Sequence, residues 1–160
     1  MGIVRFIDTS VFVELLNIPG MNELYTELKK EYELFYKNGD TFVLPVAVLV
    51  ETGNHIAHIP DGALRRNIAL KFVNLVEKAI STEDNWNVMP EISEDVLREI
   101  LVNFPNHASS EIGFGDVSII EQFEDYWKNR QPIGEMRIWS LDNHLSAYQR
   151  TGGLSRRKDR

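Results

Sequence analysis

Short apolar runs alternate along the chain with longer segments in which apolar residues recur every three or four positions. Four runs are typical of buried strands, at 2–7, 41–44, 86–89 and 137–141. The helical spacing between them is clearest over 21–37 and 64–80. Strands that alternate with helices predict an α/β fold, here a three-layer α/β/α sandwich around a central, mainly parallel and twisted sheet.

Polar and special residues predict where these elements begin and end. Thr9 and Ser10 are good N-cap types for a helix that follows the first strand, and Ser93 caps a later one. Residues 103–115 contain Pro105 and two glycines, which predicts a loop. A further helix is expected to open at Asp116, and a short one over 145–149.

Composition limits the class of protein. The 160 residues predict one domain over 1–149 with a basic, flexible tail over 150–160, and 43% hydrophobic with 26% charged residues is a globular composition. The absence of cysteine excludes disulfides, thiol catalysis and Cys-ligated metal sites. The longest apolar run, 42–50, is far below the roughly 20 residues of a membrane span, so we expect a cytoplasmic protein without a membrane partner.

The formal net charge of −7 is unevenly distributed. Five basic residues and one acid give residues 150–160 a charge of +4, which leaves −11 on residues 1–149. The acidic part is either solvated surface or a concentration of carboxylates where a cation binds. The tail is either a solvated terminus or an arm for RNA phosphates, in which case its binding residues are Arg150, Arg156, Arg157 and Lys158.

Four acidic residues occupy positions that the predicted fold brings together. Asp8 and Asp142 follow apolar strands, Asp116 opens a helix, and Glu51 lies in an apolar helix where an unpaired charge is costly. Each residue alone is explained as well by a structural role, such as a helix cap. Together they would repel one another unless a cation compensates, and an all-carboxylate set suits Mg²⁺ or Mn²⁺. This chemistry indicates metal-dependent hydrolysis of phosphate esters.

With these positions the sequence resembles the PIN-domain nucleases, in particular single-domain VapC-type toxin ribonucleases. The motifs that carry the resemblance are Phe6-Ile7-Asp8-Thr9-Ser10, Glu51, Gly115-Asp116-Val117-Ser118-Ile119-Ile120 and Trp139-Ser140-Leu141-Asp142. It implies an endoribonuclease that uses Mg²⁺ or Mn²⁺ and leaves 5′-phosphate and 3′-hydroxyl ends. The implied catalytic and metal-binding residues are Asp8, Glu51, Asp116 and Asp142, supported by the hydroxyls of Ser10 and Ser140.

The resemblance also implies partners, and two other functions remain open. A toxin of this kind would act on RNA, form a homodimer and be inhibited by a small antitoxin protein. One alternative is a PIN-like module that binds RNA or protein without cleaving. The other is a phosphohydrolase of the haloacid-dehalogenase type, but that family needs a second acid where this chain has Ser10.

Overall fold

The structure is a computed structural model that describes residues 2–152, so Arg156, Arg157 and Lys158 of the basic tail lie outside the described residues. In chain order the elements are β1 (Val4–Ile7), α1 (Thr9–Leu15), α2 (Tyr25–Lys37), β2 (Thr41–Pro45), α3 (Val46–Ala57), α4 (Gly62–Ile80), β3 (Trp86–Met89), α5 (Glu94–Ser109), α6 (Phe114–Asn129), β4 (Glu135–Trp139), α7 (Asn143–Ser146) and β5 (Gln149–Thr151). Within this range, no helix combines the length and the apolar character that crossing a membrane requires.

The five strands form one sheet in the order β3-β2-β1-β4-β5. The central strand β1 runs parallel to β2 on one side and to β4 on the other, and β2 runs parallel to β3. The edge strand β5 is antiparallel to β4. The predicted α/β fold with a mainly parallel sheet is therefore confirmed.

Buried aromatic side chains hold the sheet against the helices. Phe42 of β2 stacks on Trp86 of β3 with ring centroids 5.1 Å apart, and Phe6 of β1 meets Phe123 of α6 edge to face at 5.5 Å. Complete burial of such a ring stabilises the fold by about 1.5–3 kcal/mol. The contact between Phe6 and Phe123 keeps β1 and α6 side by side, and these are the elements that position Asp8 and Asp116.

The prediction of a loop over 103–115 is wrong. Ser93 caps α5 as expected, but the helix continues through Pro105 to Ser109, and α6 already begins at Phe114. Proline removes one helical hydrogen bond and disfavours a helix interior. Tertiary packing outweighs this cost, because a second apolar cluster of Val96, Ile100, Val117 and their neighbours joins α5 to α6.

Three other boundaries differ from the prediction. Helix α1 starts at Thr9, so Asp8 occupies the N-cap position expected for Thr9 or Ser10. Strand β4 ends at Trp139 rather than at residue 141, because the residues that follow turn away into hydrogen bonds described below. The helix expected over 145–149 is α7, which is followed by the strand β5. The polar side chains of residues 149–151 do not predict a strand, but these residues pair with the open edge of β4.

Candidate active site

The four predicted acids lie on four segments that meet at one edge of the sheet. Asp8 directly follows β1, and Glu51 lies in α3, which directly follows β2. Asp142 comes shortly after β4, and Asp116 lies in the first turn of α6. The backbone N–H of Asp8 donates to the carbonyl of Trp139 at 3.0 Å, which keeps the ends of β1 and β4 level. The carboxyl ends of parallel strands form the usual site crevice of such sheets.

Asp8 is the most firmly held of the four. It is buried, and the hydroxyls of Ser10 and Ser140 both donate to its Oδ2, each at 2.7 Å. Ser140 in turn accepts the backbone N–H of Asp142 at 2.9 Å, and Ser10 accepts that of Leu141 at 3.0 Å. The two serines therefore fix one oxygen of Asp8 and tie the segment carrying Asp142 to the start of α1.

Two residues set the position of Glu51: one donates a hydrogen bond to its carboxylate, and the other leaves space for it. Thr9 donates its hydroxyl to Glu51 Oε2 at 2.7 Å. Gly115 gives Glu51 room, because a Cβ at this position would lie 2.1 Å from Oε1. The sequence places Thr9 beside Asp8 and Gly115 beside Asp116, but only the fold brings either of them to Glu51.

Asp116 registers the proximity of all four acids. Its partial burial and the carboxylates of Asp8, Glu51 and Asp142 together raise the pKa of Asp116 from 3.8 to about 6, while His144 acts in the opposite direction. Burial is the largest of these causes. The nearby carboxylates oppose the ionisation of Asp116, and a bound cation would relieve this repulsion.

Asp142 has a structural role in the described state. Its Oδ1 accepts the backbone N–H of His144 at 2.7 Å and that of Leu145 at 3.2 Å, which caps α7. The side chain is exposed at the rim of the site. Asp142 therefore acts as a helix cap through one carboxylate oxygen. The other oxygen takes no part in the cap, so the same carboxylate also fits the metal-ligand hypothesis.

The chemistry of the donor set fits a hard divalent cation, because carboxylate oxygens are the ligands that Mg²⁺ and Mn²⁺ prefer. The side chains do not stand as a closed cage: within residues 2–152, no three His, Cys, Asp or Glu side chains are grouped closely enough to hold a metal ion. The carboxylates of Glu51 and Asp142 are engaged in hydrogen bonds in this arrangement.

Arg150 is placed differently from the tail to which the sequence analysis assigned it. It lies in β5 and forms an ion pair with Glu124 of α6, with Nε 3.2 Å from Oε2. Its charge is therefore engaged on the surface of the domain in the described structure.

Gly115→Ala is expected to weaken Mn²⁺ binding by about tenfold, because displacing a group that supports metal ligands has effects of this size. The new Cβ must push Glu51 away from its present position. Stability should change by less than about 1 kcal/mol, since the better helix propensity of alanine offsets a lost hydrogen bond. Titration calorimetry with Mn²⁺ measures the first effect and thermal melting the second.

Gly53→Ala is the matched control, because Gly53 lies in α3 close to Glu51 and a Cβ there has open space. It should leave Mn²⁺ affinity unchanged. Equal affinity of the Gly115→Ala variant and the parent would show that Glu51 does not take part in binding.

Asp116→Asn is expected to stabilise the metal-free protein at neutral pH. A pKa raised from 3.8 to about 6 means that the folded state binds a proton more tightly than the unfolded state, so stability falls as pH rises through this interval. Asparagine mimics the protonated acid. The gain over the parent should be greatest above pH 6 and vanish below about pH 4, which melting curves in EDTA across that range will test. If the difference in stability between the variant and the parent is the same at every pH, the raised pKa of Asp116 is not its cause.

Comparison with known proteins supports the fold. A scan against protein-family models gives no match, and neither does a search of curated proteins. Among solved structures, a chain of VapBC2 from Rickettsia felis, crystallised bound to a DNA fragment from the VapBC2 promoter, matches with a TM-score of 0.54 and 14% identity. The match covers 86% of this chain and all of the other. The resemblance to PIN-domain proteins is thereby confirmed at the level of the fold.

Proposed function

We propose that this protein is an endoribonuclease that hydrolyses RNA phosphodiester bonds with Mg²⁺ or Mn²⁺ held by Asp8, Glu51, Asp116 and Asp142. The observation that carries the proposal is electrostatic. The carboxylates of the other three acids help to raise the pKa of Asp116 to about 6, so each of them lies within electrostatic range of this carboxyl group. A PIN-like fold, with these acids beyond the carboxyl ends of its parallel strands, supports the same conclusion.

When bound, a divalent cation supplies a water of lowered pKa and positive charge against the phosphodiester oxygens. The protein's own contribution begins with Asp8. Ser10 and Ser140 hold its Oδ2, which fixes the plane of the carboxylate before any ligand arrives and leaves Oδ1 without a side-chain hydrogen bond within residues 2–152. A ligand fixed in this way loses little freedom on binding, so Asp8 is the anchor of the site.

Glu51 and Asp142 are ligands of a different kind, because each has a hydrogen bond to give up or share. The hydroxyl of Thr9 orients Glu51, and the N-terminus of α7 holds one oxygen of Asp142. Asp116 must be ionised to contribute its charge, which requires a pH above its raised pKa or the presence of the cation. The expected products carry 5′-phosphate and 3′-hydroxyl ends.

Incubation of the purified protein with a mixed pool of RNAs tests the proposal directly. Cleavage is expected in Mn²⁺ or Mg²⁺ and should stop in EDTA, and the fragments should be ligatable through their 5′-phosphates. RNA that stays intact at every Mn²⁺ concentration would overturn the proposal.

A PIN-like module that binds RNA or protein without cleaving is the second candidate, favoured by the lack of a closed metal cage in the described residues. Mn²⁺ separates the two functions in a melting experiment. At a hundred times its dissociation constant, a cation that binds only the folded state adds about 2.7 kcal/mol of stability, or roughly 5–10 °C for a domain of this size. The binding module predicts no shift.

We further propose that the nuclease is the toxin of a toxin–antitoxin pair and forms a homodimer. A groove of about 680 Å³ beside β3 is lined by leucine and aromatic side chains, three lysines, two asparagines and Asp84, and by none of the four acids. Its walls suit the apolar side chains of a small acidic partner protein.

Expression of the chain alone should arrest growth, and co-expression of a neighbouring reading frame that encodes an antitoxin should restore it. Light scattering will test the dimer.

A further inference from the structure

Two pairs of aromatic rings lie at the carboxyl-terminal end of α5, in the region that the sequence predicted to be a loop. Phe104 meets Phe114, the first residue of α6, edge to face with ring centroids 5.2 Å apart. His107 faces His144 of α7 at 6.2 Å. Because Phe104 and His107 are three residues apart on one helix, the two pairs lie on the same side of α5, one turn apart.

Both pairs border the acidic site. Phe114 immediately precedes Gly115, against which Glu51 lies, and is two residues before Asp116. His144 is close enough to Asp116 to act on its carboxylate. These two ring pairs, which we call the rim, lie near the carboxylates, although the residues that build them come from three separate helices.

The exposure of Phe114 is unusual for a phenylalanine in a helix that is otherwise well covered. Its side chain is 42% exposed, whereas Val117, Ile119 and Phe123 of the same helix are fully buried. Phe104 contacts one side of the ring, and the exposed part of Phe114 is an apolar surface next to Gly115. Exposed apolar surface costs free energy unless a ligand covers it.

We infer that Phe114, His107 and His144 form a subsite for one unpaired RNA nucleotide next to the bond that is cleaved. Phe114 stacks on the base, and an imidazole N–H of His107 or His144 donates to the adjacent phosphate. Stacking attracts RNA to this acidic domain without any basic residue, and it requires a base that is not paired. Either imidazole tautomer has an N–H to donate. The inference rests on the proposed ribonuclease function.

RNA binding by the Asp116→Asn variant in EDTA measures the subsite without cleavage. The probe is a short, fluorescein-labelled single-stranded RNA of mixed sequence, and its anisotropy reports the dissociation constant. Adding Phe114→Leu should weaken binding by about tenfold, the equivalent of one lost stacking contact. Phe114→Tyr keeps the ring and should restore the affinity. His107→Gln with His144→Gln should also weaken binding.

Tyr36→Leu is the matched control, because Tyr36 lies on α2 outside the rim and is 41% exposed, nearly the same fraction as Phe114. It should leave the affinity unchanged. Three outcomes would each overturn the subsite. Tyr36→Leu and Phe114→Leu could lower RNA affinity equally, or Phe114→Leu could leave the affinity unchanged. The third outcome is that the Asp116→Asn variant does not bind RNA at all. Thermal melting of every variant confirms that it is folded.

A series of RNAs with one abasic position each makes the test specific. The effect of Phe114→Leu should disappear for the RNA whose missing base is the one that stacks on Phe114, and persist for the others. The subsite and the nuclease can fail separately. If RNA binding depends on Phe114 but the wild type does not cleave RNA in Mn²⁺, the proposed function alone is overturned. If the wild type cleaves RNA but binding does not depend on Phe114, the subsite alone is overturned.

Discussion

Asp116→Asn is expected to lower the rate of RNA cleavage by about 10³-fold, which corresponds to about 4 kcal/mol of lost transition-state stabilisation. The carboxylates of the other three acids raise the pKa of Asp116, and the amide replacement removes one charge from this group. The same variant should be more stable than the parent in EDTA at neutral pH. Loss of activity together with a gain in stability is the signature of a residue kept for function rather than for folding.

Initial rates of cleavage of one RNA in Mn²⁺ provide the measurement, and Asp8→Asn should cause a loss of similar size. Asp61→Asn is the matched control. Asp61 caps α4 through a hydrogen bond to the backbone N–H of Leu64 at 2.7 Å, and asparagine is an equally good cap. Its rate should stay within twofold of the parent. Unchanged rates for both Asp116→Asn and Asp8→Asn would exclude this group as the catalytic site.

Asp40→Ala is expected to destabilise the fold by about 3–5 kcal/mol, a large part of the total for a domain of this size. Asp40 is only 2% exposed, and it accepts the backbone N–H of Ile3 at 2.9 Å and the Nε of Arg5 at 2.6 Å. The guanidinium of Arg5 also lies 3.4 Å above the ring centroid of Phe35. Alanine at position 40 leaves the largely covered guanidinium of Arg5 without its anion.

Urea unfolding gives the free energy of unfolding for this comparison. The double variant Arg5→Met with Asp40→Leu should be more stable than Asp40→Ala, because an apolar pair leaves no unpaired charge. Glu94→Ala breaks the exposed ion pair with Arg98 and should cost no more than about 0.5 kcal/mol. A loss below about 1 kcal/mol for Asp40→Ala would contradict the account of a buried, paired charge.

The two predictions concern acids that look alike in the sequence. Asp8 follows an apolar strand and Asp40 precedes one, with glycine or serine nearby in each case. Asp40 is buried and paired with the largely covered guanidinium of Arg5, which makes it structural. Asp8 receives hydroxyl hydrogen bonds and adds to the repulsion on Asp116. Nothing in the order of residues reveals that Arg5 lies beside Asp40, so the structural role of Asp40 appears only in the folded chain.

Local pattern was sufficient for the strands and for the approximate place of the acids. The apolar runs that became β1, β2 and β4 are short and strongly patterned, and parallel strands bring their carboxyl ends to one edge, so Asp8 and Asp142, which follow such strands, could be predicted to lie at the same edge without a structure. Pattern failed where tertiary contacts outweigh local preference. Pro105 within α5 and the polar strand β5 are the two examples, since each depends on a neighbouring element rather than on its own residues.

The sequence by itself therefore determined the class of fold and led to the hypothesis of four acids that hold a cation, because residue type and spacing fix which segments become strands and which oxygen donors follow them. Only the tertiary structure decided how those acids are held. These contacts join residues that are far apart in the sequence, so a periodic pattern cannot predict them. They involve the hydroxyls of Thr9, Ser10 and Ser140, the missing Cβ of Gly115 and the ring beside Phe114. Hydrogen bonds and ring contacts depend on distances of a few ångströms, which exist only once the chain is folded.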